Sequence, residues 1–240
     1  MVTWISHRGF HRNHTENSLA AFKEAVALGF NSLETDLRYT SDNELVLFHD
    51  ESLLRIAGVD KKIHTLSKQE LLAVPFPNGY RPVFFDEFMQ EFAGLSWTFD
   101  IKKEGGLKTV ELLIKWVNQN GAREWFSKNA RYLFWDQTQQ QALCAGFPEA
   151  RCYARKNECI RAGLLTLMHL HGAGRIEEGK TYSLPPSIGP IKLFRKEVVS
   201  RFKAVGASVL AYLPESNAEA LMAVNAGFDE ILTNHSIVAN

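Results

Sequence analysis

Apolar residues recur along the chain in two alternating rhythms, and the alternation predicts a repeated helix-then-strand unit. Leu19, Phe22 and Val26 fall at helical spacing, Gly29 offers a left-handed helix end, and Phe30 to Leu37 follows as a strand. Val198, Val199, Phe202 and Val205 repeat the pattern before Gly206, with Ser208 to Leu213 as the next strand. Ala218, Leu221 and Met222 repeat it before Gly227 and the strand Phe228 to Thr233. Gly121 and Gly146 are further candidate caps behind helix-like segments.

Eight strands follow from this reading: Val2 to Ser6, Ser32 to Leu37, Leu95 to Lys102, Arg131 to Trp135, Arg151 to Ala154, Thr181 to Leu184, Ser208 to Leu213 and Glu230 to Thr233. Eight strands separated by helices in 240 residues predict an α/β fold of the (β/α)8 TIM-barrel type, with a doubly wound open sheet as the competing arrangement. The stretch from Asp50 to about Pro82 breaks the rhythm, carrying one short helical piece from Ser67 to Ala73. It reads as a small insertion after the second strand (residues 50–82), on the face where barrel active sites are built. No linker rich in Pro, Gly or Ser divides the chain, so a single barrel domain over residues 1–240 is expected.

Composition narrows the partners. Lys plus Arg number 27 and Asp plus Glu number 27, which leaves no net field for nucleic acid or an anionic membrane, so an anionic substrate must be attracted locally. A hydrophobic share of 45% with 22% charged residues is that of an ordinary globular protein. Cys144, Cys152 and Cys159 have neither metal-knuckle spacing nor disulfide density, which fits a reducing compartment. The start MVTWISHRGF lacks a signal-peptide pattern and no long apolar run occurs, so a cytoplasmic protein with no membrane span is expected. Oligomeric state is not legible.

Charged clusters sit at the predicted strand ends. His7-Arg8-Gly9 follows the first strand, Glu34-x-Asp36 lies on the second, His49-Asp50 follows the apolar run Leu45 to Phe48, and Asp100-x-Lys102 ends the third. Positions i and i+2 of a strand share a face, so Glu34 and Asp36 present two carboxylates together, as Asp100 and Lys102 present unlike charges. Two inward carboxylates repel unless a cation lies between them, and an all-oxygen set without thiolate favours a hard ion, Mg2+ or Ca2+. The same spacing also suits solvated residues on an edge strand, or partners of Arg38 and Arg8. His7 and His49 are the natural acid and base for a phosphodiester, whose hydrolysis moves one proton off the nucleophile and another onto the leaving group.

Together HRG at 7–9, TENS at 15–18, LETDL at 33–37 and LVLFHD at 45–50 resemble the glycerophosphodiester phosphodiesterase family, whose ordered pattern is HRG, PENT, ExD and HD. The resemblance continues through RPVFFDEF at 81–88, FDIK at 99–102 and GFDEILTN at 227–234, and is weak between about 105 and 190. It implies a (β/α)8 barrel with a small insertion after the second strand. It further implies His7 and His49 as the acid/base pair, Glu34, Asp36 and Asp100 as ligands of a divalent metal, and Arg8 as a phosphate contact, beside which Lys102 would offer a positive charge to the phosphate.

Glu16 matches the family's Glu and either orients Arg8 or favours a helix N-terminus. Asp100 stands where the family usually has Glu, which retracts the carboxylate by about 1.5 Å. Tyr212-Leu213-Pro214 replaces a Trp and a polar pair, leaving Tyr212 as an aromatic wall of the substrate site. Thr15 replaces the Pro of PENT and Asn234-His235 a terminal Asp.

The expected substrate is a small glycerophosphodiester, cleaved to glycerol 3-phosphate and an alcohol. The rivals are a lipid phosphodiesterase of the lysophospholipase D or sphingomyelinase D type, with Leu53, Leu54, Phe76, Phe84 and Phe85 as an apolar rim, and a non-catalytic binding barrel. His169-x-His171 reads as a helix end or buried polar pair, His11 and His14 as solvated, and Trp97, Trp116, Trp125 and Trp135 as packing residues.

Overall fold

The structure, a computed structural model, describes residues 2–168 and 175–238. Eight parallel strands make one curved sheet: β1 (Thr3–His7), β2 (Ser32–Tyr39), β3 (Ser96–Ile101), β4 (Ala130–Phe134), β5 (Arg151–Cys152), β6 (Thr181–Leu184), β7 (Ser208–Tyr212) and β8 (Glu230–Thr233). Their hydrogen-bonded order is β5-β4-β3-β2-β1-β8-β7-β6, so the first and last strands are neighbours. At the remaining seam the Ala154 N–H donates to Thr181 O at 2.9 Å. Cyclic order with a bonded seam makes this a nearly closed barrel and rules out the open doubly wound sheet.

Helices α1 (Leu19–Ala27), α2 (Phe85–Phe92), α3 (Gly106–Gln119), α4 (Gln137–Gly146), α5 (Lys156–Leu167), α6 (Lys196–Lys203) and α7 (Asn217–Ala226) occupy the crossovers. The expected strands all fall within two residues of these bounds, the shortest being β5. That strand pairs through Arg151 and Cys152 only, while Tyr153 and Ala154 continue with single bonds to Tyr132 O and Thr181 O. Gly146 is part of α4 rather than a cap, and a Cβ there would lie 2.6 Å from Ile114 Cδ1.

Strand β2 shows how the pattern positions the site. All but its last residue are buried, because helices cover its outer face and the barrel interior its inner one. Leu33 and Leu37 join the core packed beneath the helices, together with Trp97 and Phe99 of β3. The Trp97 ring lies 4.0 Å from Phe88 and 5.5 Å from Phe22, both edge-to-face. With these apolar side chains facing out, the alternate residues Glu34, Asp36, Thr98 and Asp100 are forced inward.

At the N-terminal end of the barrel Arg131 pairs with Glu230 and donates to Thr181 Oγ1 at 2.6 Å, and Tyr153 donates to Glu230 at 2.7 Å. These inward side chains fill the barrel below the charged cluster, so the interior is packed rather than open.

The departure from β/α alternation begins earlier than the sequence suggests. The outer end of β2 pairs antiparallel with Leu45–Leu47, which pairs in turn with Val83–Phe84. Residues 50–82 hang from this extension and bury their own cluster, including Leu53, Ile63, Leu66 and Leu71. Besides the expected helix, Lys68–Leu72 with Ser67 and Glu70 forming its capping box, the segment holds the short turn of helix Leu54–Ala57. No helix among the described residues is long and apolar enough to cross a membrane.

Gly9 fixes the loop that carries Arg8. Its φ is +77° and an added Cβ would lie 2.6 Å from the Ala21 carbonyl carbon and 2.8 Å from Phe22 N, both rigid backbone of α1. Gly9→Ala is therefore expected to destabilise the protein by about 2 kcal/mol or more, from steric clash added to the left-handed backbone. Urea unfolding of the two proteins measures this; an unchanged midpoint would contradict the packing.

Candidate active site

Register assembles the acidic cluster. His7 of β1 sits opposite Glu34 of β2, and Asp36 opposite Asp100 of β3. Three adjacent strands thereby place four inward polar side chains at successive levels of the barrel mouth. One oxygen each from Glu34, Asp36 and Asp100 lies within 4.8 Å of the others, all three residues being buried. Among the described residues this is the one group of three or more His, Cys, Asp or Glu side chains with that geometry.

Two cations reach the cluster. Lys102, the residue after β3, holds its Nζ 2.6 Å from both Asp36 Oδ1 and Asp100 Oδ2. Arg8 places Nε 3.1 Å from Asp36 Oδ2 and Nη1 3.1 Å from Glu16 Oε1. Burial would raise the Asp36 carboxyl, but Lys102 and Arg8 outweigh it and hold the group below its ordinary range. Burial pushes Glu34 well above the usual carboxylate range, and Asp36 and Asp100 add to the push. Asp100 is raised too, chiefly by burial against the opposing pull of Lys102.

Backbone conformation sets the loop residues. Arg8 and Asn17 both have φ of 54°, and the Arg8 N–H donates to Glu34 O and to Glu34 Oε2. Asn17, fully buried, donates to Asp36 Oδ2 at 2.8 Å and accepts from Thr35 Oγ1 at 2.8 Å. Next in line, Ser18 caps α1 by accepting from Ala21 N. Glu16 bridges Arg8 and Arg55, and Arg55 reaches on to Asp50 at 2.5 Å. The hydrogen bond from Arg8 favours the first of the two roles that sequence offered for Glu16.

The two imidazoles flank the cluster. His7 Nδ1 is 2.7 Å from Asn234 Oδ1 and its Nε2 3.9 Å from Glu34 Oε2. Burial, then the neighbouring Arg8, pull the His7 pKa down to about 4, so the ring is neutral near pH 7. His49 pairs through Nδ1 with Asp50 Oδ1 at 2.6 Å. Its carbonyl oxygen accepts from Arg38 Nε at 2.9 Å and Nη2 at 2.7 Å. His49 lies beside Glu16, Asn17 and Tyr80, on the flank away from the main cavity.

That cavity, of about 450 Å3, is bounded by His7, Glu34, Asp100 and Tyr212 on one side and by apolar residues of β4, α5 and the loop after β6 on the other. Burial and then Asp100 and Glu34 push the Tyr212 hydroxyl up to about 12, so it stays protonated and donates. Trp135 is not a packing residue: it is 47% exposed, lines the cavity and donates from Nε1 to Asp100 Oδ1 at 2.8 Å. Trp97 is core, as expected, while Trp116 and Trp125 pack at its edge.

The residues offered as an apolar rim do not form one. Leu53, Phe84 and Phe85 are buried and Phe76 packs inside the insertion, which leaves Leu54 exposed. His14 pairs with Glu24 at 2.7 Å, His11 bonds Gly9 O, and His169 and His171 lie outside the described residues.

Asn17, Arg38, Trp135 and Asn234 take places in the site that sequence reasoning did not assign them. Trp135 and Asn234 are each the first residue beyond the C-terminal end of a barrel strand, and that position was the available signal.

The donor set fits a divalent cation. Three buried carboxylates face two cationic side chains, one of which is shared with Glu16, so Glu34 has no cation of its own and is pushed toward its neutral form by burial and by Asp36 and Asp100. Asp100, though shorter than Glu, still brings an oxygen within the 4.8 Å group.

The model of the glycerophosphoryl diester phosphodiesterase family matches residues 7–238. Among curated proteins, the human "Lysophospholipase D GDPD1" is 33% identical over 140 residues, a stretch covering 52% of this chain and 45% of that protein. A glycerophosphodiester phosphodiesterase of Caldanaerobacter subterraneus subsp. tengcongensis is 37% identical over 67 residues, 28% of each chain. The matches thus span about half or less of the curated relatives.

Among solved structures, the glycerophosphoryl diester phosphodiesterase domain of a Mycobacterium tuberculosis protein has a TM-score of 0.80 at 13% identity, covering 98% of this chain and 96% of its own. The Agrobacterium tumefaciens glycerophosphodiester phosphodiesterase has a TM-score of 0.75 at 19% identity, covering 98% and 97%. These two likenesses establish the shared fold, and the family match over nearly the whole length establishes descent: the chain belongs to the glycerophosphoryl diester phosphodiesterase family.

Proposed function

We propose that this chain is a divalent-metal-dependent phosphodiesterase that hydrolyses glycerophosphodiesters to a glycerol 3-phosphate and an alcohol. The observation that carries the reading is the buried Glu34, Asp36 and Asp100 cluster, short of positive charge and flanked by two imidazoles. A divalent ion held by Glu34, Asp36 and Asp100 supplies a fixed positive charge that polarises a phosphoryl oxygen.

Arg8 and Lys102 complete the phosphate site, since each presents N–H groups at the carboxylate cluster. In an in-line displacement the entering and leaving oxygens lie on opposite sides of phosphorus. His7, which lines the main cavity, and His49, which lines the small pocket beside Glu16 and Asn17, suit the two proton transfers that this requires. Asn234 and Asp50 orient the rings, and Arg38 fixes His49 through its backbone carbonyl. Tyr212 and Trp135 wall the side where the glycerol unit sits.

Two outcomes follow. His49→Ala is expected to lower turnover of glycerophosphocholine by about 10²–10⁴-fold. The fold should survive, because the side chain is about one-third exposed. Circular dichroism beside a choline-release assay checks both, and full activity in the variant would remove His49 from the mechanism.

The second concerns the ion. Burial raises the Glu34 carboxyl above the ordinary carboxylate range, so loading Mg2+ or Ca2+ is expected to displace a proton and affinity should strengthen as pH rises. Calorimetry in buffers of different ionisation enthalpy reads the proton release directly. An affinity independent of pH would contradict the ligand role of Glu34.

A further inference from the structure

Trp135 holds a place in this molecule that hydrophobic packing does not explain. The ring is 47% exposed where Trp97 in the core is 1% exposed, so burial contributes little to keeping it there. Trp97 and Trp125 donate their indole N–H groups to the backbone carbonyls of Phe92 and Ala93. Trp135 instead donates to Oδ1 of Asp100, a member of the buried carboxylate cluster. Register explains the reach. Leu133 and Phe134 of β4 sit opposite Asp100 and Ile101 of β3, so Trp135 comes level with Lys102 at the mouth and its indole leans back across the strand pair.

Asp100 is thereby held from two directions, with Lys102 Nζ 2.6 Å from Oδ2 and the Trp135 Nε1 2.8 Å from Oδ1. An ionised carboxylate has about four acceptor positions, so one donor on each oxygen fixes its plane and still leaves lone pairs for an ion. Without the indole donor the buried Oδ1 loses that partner, and turning both oxygens onto the Lys102 ammonium becomes the most favourable way to satisfy the carboxylate. That rotation ties Asp100 to Lys102 at the expense of an ion.

We infer that Trp135 is a positioning residue for the ion site: its indole N–H holds Asp100 against the pull of Lys102, so that this short carboxylate keeps an oxygen beside those of Glu34 and Asp36. The role rests on the divalent-ion reading given above and is independent of which phosphodiester is cleaved. It differs from the wall that Trp135 gives the cavity, because the wall needs the ring and the positioning needs its N–H.

Trp135→Phe separates the two, since it keeps an aromatic ring and removes the donor. Mg2+ affinity is measured by calorimetry on both proteins with no substrate present, and urea unfolding of the metal-free proteins controls for the fold, which a change at a half-exposed position should leave intact. Loss of a hydrogen bond behind a metal ligand costs about 10–100-fold in affinity, and a weakening in that range with an unchanged urea midpoint is the expected result. The indole supplies a second readout: Mg2+ should change the tryptophan emission of the wild-type protein, and Trp135→Phe should lack that change.

Equal Kd values for the two proteins, or the same emission change in both, would overturn the inference. A wild-type protein that bound no Mg2+ would overturn it too, together with the ion site. Weakened Mg2+ binding in Trp135→Phe, with no hydrolysis of glycerophosphocholine by the wild-type protein, would uphold the positioning role and count instead against the phosphodiesterase reading.

Discussion

Everything at the mouth of this barrel is arranged around one electrostatic problem: three carboxylates buried within 4.8 Å of one another. Such a group is stable only if cations stand close and the remaining lone pairs are bonded. Lys102 lies between Asp36 and Asp100, Arg8 lies against Asp36, and Asn17 and Trp135 bond one oxygen each of Asp36 and Asp100. Glu34 receives a backbone N–H and the distant His7 ring, but no cation of its own. With no cation of its own, Glu34 is pushed toward its neutral form by burial and by Asp36 and Asp100.

The rest of the fold serves that arrangement. The aromatic core outside β2 and β3, with Trp97 and Phe99 facing the helices, fixes the strand faces on which the acidic residues stand. A slip of one residue in the β2:β3 register would turn Asp36 or Asp100 outward and dissolve the cluster. The left-handed turn at Arg8, Gly9 and Asn17 folds the first loop back so that its Arg and Asn point at Asp36. Stability and site geometry thus share the same residues.

Much of this was legible in sequence, because it depends on local period. The spacing of Glu34 and Asp36, the helix-then-glycine units, and the charged residues at strand ends are short-range patterns with short-range causes. What escaped depends on distance along the chain: Asn234 meets His7 across 227 residues, and Trp135 meets Asp100 across 35. Arg38 acts on a backbone carbonyl, which no side-chain motif advertises. Strand β5 is too short for any periodicity, and the apolar residues of the insertion serve its own small core rather than a rim.

The central claim is that Glu34, Asp36 and Asp100 hold a hard divalent cation with Lys102 beside it. The most direct measurement is a crystal structure grown with Mn2+ and recorded for anomalous scattering. The account expects one strong peak at ligand distance, about 2.0–2.4 Å, from an oxygen of each carboxylate. No peak at the cluster, with Lys102 still seated between Asp36 and Asp100, would contradict it.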